Sequence, residues 1–529
     1  MNKLAIYLNR HLIGNVFDKD SILDAYSTDR SLLKIKPRLV AVPETTSDVR
    51  KICRFANQLS EKGYDLKIAV RGAGLSKTGA DLTSGLVIST EKLNHVRELD
   101  AHDRLVHVQA GMTLGKLNAI LAPNGLTLPV SADPEETIGG LIATAPRDDY
   151  SKRYGGIMNY VDRIEVVLAN GDLIQTSRIP SGKLIIKKVG HSLESEIYEK
   201  LDKLLIKNSE LISTLPETSR LGYPGLKYIK RNNGHVFDLL PAFFGSEGSL
   251  GIITEVILRC EVLPPREHRL FAVFNKLKPA EDFMTSVEKL DPLSVRLFDN
   301  RIFKRADDFG KKPDLLTRKF DEEGYLVLVS FNDKPPRSRR KVKKCLRLLP
   351  KSAYVFQEFQ KNAAEFDAFD STLVSYLNDS GSKERPNLLH DFYVPKEKLE
   401  ELVEKLAELE KTYKRPLELY GSHLTDVYSV RPEFNLEKID DRRACLTLLR
   451  DFNNVLKDLG GNLAGGLPEG RLKSLVVYSD IDEKEKKLYS TVKKIFDKNN
   501  ILAPGIKTDC DIKNTVRHLR AEPLSGIIN

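Results

Sequence analysis

Leu66-Lys67-Ile68-Ala69-Val70-Arg71-Gly72-Ala73-Gly74-Leu75-Ser76-Lys77-Thr78-Gly79-Ala80 is a short apolar run that breaks off in a glycine-rich turn. The run reads as a buried strand, and the turn as a place where backbone N–H groups converge into a concave nest for an anion. It is not the dinucleotide fingerprint G-x-G-x-x-G, because Lys77 stands where the third glycine is needed. It also lacks the G-K-[ST] of a Walker loop. Read by itself, the turn remains open between a phosphate nest and a tight structural bend.

Upstream, RLVAVP (Arg38 to Pro43) reads as a strand, followed by a helix capped by Thr45 or Thr46. Val49, Ile52, Cys53, Ala56 and Leu59 form the apolar stripe of that helix. Downstream, GLVIST and LVHVQAG continue as strands, and Thr113 to Leu121 as a short helix. Asn170-Gly171 between RIEVVLA and DLIQT predicts a hairpin, since both turn residues need positive φ. GIITEVILRCEVL, ending at Leu263, is a further strand run, and Pro264-Pro265 breaks it. Beyond lie short strands (LFAVF, YLVLVSF, DFYVP) and a helix from Pro395 to Tyr413 with apolar Leu399, Leu402, Val403, Leu406 and Leu409.

Two more glycine clusters follow the first. SADPEETIGGLIAT (Ser131 to Thr144) carries Gly139-Gly140, and FFGSEGSLGIITEV (Phe243 to Val256) precedes a strand. A diphosphate needs several converging donors, and three such loops could supply them.

The 529 residues suggest two to four structural units, and 41% apolar with 30% charged residues suits an ordinary globular chain. No stretch nears the roughly 18 apolar residues of a spanning helix, and the N-terminus lacks the features of a signal peptide. Five scattered cysteines without a C-x-x-C pair argue against zinc ribbons and iron–sulfur clusters, and fit a cytoplasmic location. The net charge of +9 is modest. Its densest run, Arg337 to Lys344, lies on a helix whose other face carries Val342, Cys345, Leu346 and Leu349. That run reads as a solvated face or as a weak peripheral contact with the inner face of a membrane. Without an aromatic platform beside it, nucleic-acid binding has no support.

The order and spacing of RGAGLSKTG, DPEETIGGLIAT, RYGGIMNYVDRIEVVLANGDLI and FFGSEGSLGIITEV resemble the vanillyl-alcohol oxidase/p-cresol methylhydroxylase flavoprotein superfamily, from about Leu33 to Thr508. The branch most similar is that of the D-lactate dehydrogenases and glycolate oxidase flavin subunits. The resemblance implies an α+β fold. A two-subdomain FAD-binding domain of the p-cresol methylhydroxylase type would span residues 33–263, after an N-terminal helical arm at 1–32. A cap domain with an antiparallel sheet and helices would span 264–470, and a C-terminal segment, 471–529, would return to the flavin. It places FAD contacts at Gly72, Ala73, Gly74, Leu75, Ser76, Asp133, Thr137, Gly139, Gly140, Thr144 and Ile253. Glu247 reads as a carboxylate that fixes its loop. Relatives that bind FAD covalently carry a histidine where Ala73 stands, so non-covalent FAD is expected.

The same resemblance implies a catalytic end whose contents have changed. The family's H-x-G-D-G-N-x-H segment, followed by V-R-P, aligns with YGSHLTDVYSVRP, where Ser422 and Ser429 replace the two histidines of the metal site and Val427 the asparagine. Its G-E-H-G-D-G-R segment aligns with GGNLAGGLPEGRL, where Gly466 replaces the metal-binding glutamate and Leu467 the basic histidine. No metal is therefore expected. His423 and Glu469 become the candidate proton acceptors, with Asp426 nearby, and Lys230, Arg231 and His235 a candidate anchor for a substrate carboxylate. The implied activity is FAD-dependent dehydrogenation of a small hydroxy compound, first a D-2-hydroxyacid such as D-lactate or glycolate. Electrons would pass to a quinone, an electron-transfer protein or oxygen. The alternatives are a sugar or alditol oxidoreductase, and a flavin-binding electron-transfer or scaffold protein without turnover.

Overall fold

The computed structural model describes residues 2–231, 234–303, 324–358, 363–369 and 385–521. They form two units. Of the described residues, one comprises 2–146, 156–262 and 464–520, the other 147–155 and 263–463.

The first unit opens on a β-α-β element. Strand Leu39–Val42 is buried along its whole length, and helix Thr46–Glu61 follows. The Thr45 side chain accepts from the Asp48 N–H and caps the helix. Val49, Ile52, Cys53 and Ala56 face the core as their spacing predicts. Strands Leu39–Val42 and Ile68–Arg71 each pair in parallel with Leu86–Ser89. A second, antiparallel sheet runs in the order Val96–Asp100, Leu105–Gln109, Ile252–Arg259, Val161–Val167, Leu173–Gln175. Its last pair is a hairpin at Asn170-Gly171 as expected, but of the two turn residues only Gly171 takes positive φ, +83°, so the turn is not the one with both residues left-handed.

The N-terminal residues expected as a helical arm, 1–32, pack into this unit. Helix Lys3–His11 sends Ala5 and Leu8 into the same core as Leu39 and Ile52. Strand Asn15–Phe17 pairs with Leu39–Val42 and covers its edge. The Asp48 carboxylate accepts from the Ile13 and Gly14 N–H groups, which fixes the entry. The C-terminal return begins at Ala464, a few residues before the expected 471. Ile501 and Leu502 pack in the first core, and the Ile68 N–H donates to the Ile501 carbonyl at 2.7 Å. Residues 522–529 of the expected C-terminal segment lie outside the described residues.

The second unit begins just before Pro264-Pro265, where the sequence breaks. It holds an antiparallel sheet of seven strands, in the order Tyr354–Gln357, His268–Phe274, Tyr325–Phe331, Ser294–Asp299, Leu419–Ser422, Val427–Val430, Leu389–Tyr393. Phe271 stacks on Phe366 with ring centroids 5.0 Å apart on one side of it. Residues 147–155, read as part of the FAD-binding half, belong to this unit. Helix Pro335–Arg347 turns Ser338, Lys341, Val342 and Cys345 inward and leaves Arg339, Arg340, Lys343 and Lys344 in solvent. Its outer face is therefore charge without apolar surface. Among the described residues, no helix is long and apolar enough to cross a membrane.

Candidate functional site

In the first unit, three glycine loops meet around one cleft of about 1130 Å³, its mouth included. Strand Ile68–Arg71 delivers the first loop. Gly74 sits at φ +73°, a conformation that branched residues avoid. The Ser76 hydroxyl accepts from the Thr78 and Ala80 N–H groups and folds the turn back on itself. Among the described residues, the N–H groups of Ala73, Gly74, Leu75 and Ser76 have no internal acceptor. Such a run of free amides in a glycine turn has the chemistry of a diphosphate cradle.

The second loop starts helix Ile138–Thr144, and the Thr137 hydroxyl accepts from the Gly140 N–H. A Cβ on Gly72 would lie 2.3 Å from Thr137 Oγ1, so the first two loops touch where Gly72 has no side chain. The two glycines of this helix differ in role. A Cβ on Gly139 would lie 2.9 Å from Ala110 Cβ, a packing constraint, whereas Gly140 is crowded only by Thr137 Oγ1 at 3.0 Å. The third loop is clamped onto the helix, with the Glu247 N–H donating to the Ala143 carbonyl at 2.9 Å.

Of the expected FAD contacts, all but Asp133 line the cleft. Asp133 lies outside the lining, in an ion pair with Arg30 at 3.0 Å, and accepts from the Glu135 N–H. It thereby fixes its own turn. The lining also includes Thr78, Glu247, Leu467 and Pro468, which the sequence reading did not assign to the cofactor. The last two arrive with the C-terminal return, whose Arg471 and Leu472 N–H groups both donate to the Thr78 carbonyl.

Behind that wall, Lys507 is fully buried between two carboxylates, 2.8 Å from Glu469 and 3.0 Å from Glu247. Burial opposes its charge, but the two carboxylates outweigh burial and hold its pKa above the usual lysine value. Burial pushes the Glu247 carboxyl up, and Lys507 only partly offsets this. Glu469 also accepts from the Gly222 N–H at 3.1 Å. A fully buried, paired carboxylate cannot reach a substrate proton, so Glu469 drops out as a proton acceptor.

The proposed anion anchor is also occupied. Lys230 pairs with Asp202 at 2.7 Å and Arg231 with Asp238 at 3.2 Å. Both belong to a small sheet with Arg178–Pro180 and Val236–Asp238, and neither they nor the exposed His235 line the cleft. Local sequence shows three basic side chains but not the carboxylates that meet two of them from elsewhere.

The second unit has its own cluster, on the turn between strands Leu419–Ser422 and Val427–Val430. His423 is buried, and neither ring nitrogen makes a hydrogen bond. Burial drives its pKa down to about 4, and the neighbouring Lys396 helps against the opposing pull of Glu288. The ring is therefore neutral at pH 7 and able to accept a proton. Asp426, at φ +57°, is pushed up to about 6 by burial, against Lys396 and Arg147. The hydroxyls of Ser422 and Tyr428 are buried without partners as well. Lys396 is bound to Glu288 at 2.8 Å. Among the described residues, Arg147 makes no ion pair, lies 5.7 Å over the Tyr393 ring and acts on the Asp426 carboxylate from a greater distance. Arg147 is thus a better candidate for an anion anchor than Lys230, Arg231 or His235.

The metal site that the family resemblance implies does not fit the residues present here. Ser429 Oγ accepts from the Asp391 N–H, Ser422 is a lone hydroxyl, and position 466 has no side chain. The carboxylate nearest His423 is Glu288 at 3.9 Å, already held by Lys396. Among the described residues, the one group of three metal-type ligands is the exposed turn Asp100, His102, Asp103 in the other unit.

Two family descriptions match the chain: an FAD binding domain over residues 37–177, and the C-terminal domain of FAD linked oxidases over residues 263–506. The chain belongs to the FAD-linked oxidases of this two-domain build, and its cofactor is FAD. It is 25% identical to the D-2-hydroxyglutarate dehydrogenase of Haemophilus influenzae over 96% of its own length, but spans about half of that relative (51%). It is 25% identical to the D-lactate dehydrogenase of Archaeoglobus fulgidus, covering 91% of this chain and 95% of that one. With glycolate oxidase subunit GlcD of Bacillus subtilis it shares 23% identity, over 89% of this chain and 88% of that one. In fold it is similar to the 4-ethylphenol oxidase of Gulosibacter chungangensis, with a TM-score of 0.64 at 14% identity, over 93% of this chain and 94% of that one.

Proposed function

We propose that the protein dehydrogenates a small D-2-hydroxyacid with non-covalently bound FAD. The observation that carries the reading is that the second unit holds both a buried neutral His423 lacking any hydrogen-bond partner and an Arg147 that makes no ion pair among the described residues. The first offers an acceptor for a hydroxyl proton, the second a cation for a carboxylate. The relatives named for D-2-hydroxyglutarate and D-lactate support the same substrate class.

Bound FAD would supply the hydride acceptor for the substrate carbon, with the electrons passing on to an external acceptor. The chain does the rest. Ala73 to Ser76 bind the diphosphate through backbone N–H groups, Thr137 and Gly140 carry the adjoining turn, and Ala73 leaves no side chain to form a covalent link. Arg147 orients the carboxylate, and His423 takes the hydroxyl proton at a ring nitrogen as the oxo acid forms. No cation from a metal takes part.

The test is anaerobic exposure of the holoprotein to D- and L-2-hydroxyacids and to polyols, following loss of the oxidised-flavin absorbance. Bleaching by a D-2-hydroxyacid is expected. Bleaching by polyols alone would move the protein to the sugar and alditol class, and no bleaching by any of them would leave a flavin carrier.

A further inference from the structure

Arg71 ends the strand that delivers the first glycine loop, and its guanidinium lies against the turn of that loop. A Cβ on Gly74 would meet Arg71 Nη2 at 2.3 Å. The N-terminal stretch of the chain also holds this guanidinium. The Tyr26 ring faces it at 5.4 Å, and the Thr28 carbonyl accepts from Nη1 at 2.8 Å. A third partner is Asp81, whose Oδ2 lies 3.4 Å from Nη1 and which itself lines the flavin cleft.

Asp81 has a second carboxyl as its hydrogen-bonding neighbour, that of Asp29, and both residues are buried. Asp29 Oδ1 accepts from the Ser31 N–H at 2.8 Å. Among the described residues, Asp29 Oδ2 and Asp81 Oδ1 have no donor. Two ionised carboxylates bring only acceptors and cannot satisfy each other, whereas one proton between them serves both. Burial, and then the charge of Asp81, hold the Asp29 carboxyl well above the ordinary carboxylate range. Besides Arg71, the charged group acting on both carboxyls is Arg471 of the C-terminal return, which donates to the Leu82 carbonyl, with Glu247 and Cys510 beyond it.

We propose that Asp29 is a positioning residue for the cofactor: un-ionised, it donates to Asp81 and so keeps Arg71 in place as the cation beside the diphosphate turn. It acts through Arg71 and touches no reacting atom. With the proton in place, the carboxyl pair sets one negative charge against the two guanidiniums, and the turn stays cationic toward a diphosphate. Loss of the proton adds a negative charge beside the cleft and sets two buried carboxylates against each other. FAD is therefore held tightly while the pair keeps its proton and is loosened as pH rises through the raised pKa. The action of Asp29 rests on the flavin being held without a covalent bond, as proposed above.

The experiment dilutes the FAD-loaded full chain into flavin-free buffer across a pH series and follows the fluorescence of released flavin. Wild type should release FAD slowest at the acid end and faster as pH rises, by up to about tenfold per pH unit, the limit for one linked proton. Asp29→Asn, whose amide donates to Asp81 at any pH, should release FAD slowly throughout and lose the slope. Asp29→Leu, which supplies no donor, should lose the slope too and release FAD about tenfold faster than Asp29→Asn, the scale of a buried carboxylate left without its hydrogen bond. The proposal is overturned if wild-type release is independent of pH, if Asp29→Asn keeps the wild-type slope, or if Asp29→Asn releases FAD as fast as Asp29→Leu. Flavin that stays in the pellet when the wild type is precipitated with acid would overturn the dissociable cofactor and this proposal together.

Discussion

Lys507 Nζ lies 3.0 Å from Glu247 Oε2, and this contact ties the C-terminal return to the third glycine loop of the flavin cleft. Glu469 completes the group at 2.8 Å, and all three side chains are essentially excluded from solvent. One cation between two buried carboxylates tolerates no loss of the cation. Lys507→Met should destabilise the protein by about 3–5 kcal/mol, the usual result of orphaning a buried charge. Adding Glu469→Gln to it should recover part of that loss. Thermal melts with flavin fluorescence as a second readout check both, and a neutral Lys507→Met would show that the pair contributes nothing to the wall.

Gly74→Val should abolish FAD retention while leaving the second unit folded. The position sits at φ +73°, and a Cβ there would stand 2.3 Å from the Arg71 guanidinium, which is itself held by Asp81 and the Thr28 carbonyl. Acid precipitation measures occupancy, because non-covalent flavin goes to the supernatant. A variant that purifies with full flavin content would remove the first loop from the cofactor site.

These first elements were legible because their signals are local. The stripe Val49, Ile52, Cys53, Ala56 has helical spacing, Asn170-Gly171 marks its turn in two residues, and the glycine loops keep their order along the chain. What failed was whatever depends on distant partners. Strand Asn15–Phe17 is too short to show alternation and is a strand because Leu39–Val42 offers it an edge. Lys230 and Arg231 looked like an anion site until Asp202 and Asp238 claimed them. Glu469 looked available because Lys507, its partner, is far along the sequence.

His423→Asn should slow flavin reduction by about 10²–10⁴-fold, the range for loss of a general base. In the wild type the rate should hold steady from neutral pH downward and fall only toward pH 4, where the ring protonates. Stability carries the same signature. The unfolded chain takes up a proton on this histidine below its ordinary value near 6.5, so the wild type loses stability as pH falls from there through about 4. That acid-side slope should flatten in His423→Asn. Asp426 works in the opposite direction. Its folded pKa is raised to about 6, so its ionisation costs stability as pH rises through that value. Asp426→Asn should therefore stabilise the protein at pH 7 by on the order of 1 kcal/mol after solvent screening, read as a higher melting temperature. Asparagine also accepts the φ of +57° there.

Chelation should leave flavin reduction unchanged. Ser422, Ser429 and Gly466 stand where a divalent ion would need two imidazoles and a carboxylate, and Lys396 holds the Glu288 carboxylate beside His423. Metal analysis before and after dialysis against chelator checks this. Stoichiometric zinc or manganese, lost together with activity, would mean that the cluster at His423 rearranges into a metal site.

The most direct measurement is anaerobic rapid mixing of the holoprotein with a D-2-hydroxyacid, in its ordinary form and with deuterium at C2. A dehydrogenase that removes hydride from that carbon should bleach its flavin with both, and several-fold more slowly with the deuterated acid, with the corresponding 2-oxo acid formed one for one. Flavin that stays oxidised in the presence of every D-2-hydroxyacid tested would contradict the proposed function, whatever the state of the cofactor cleft.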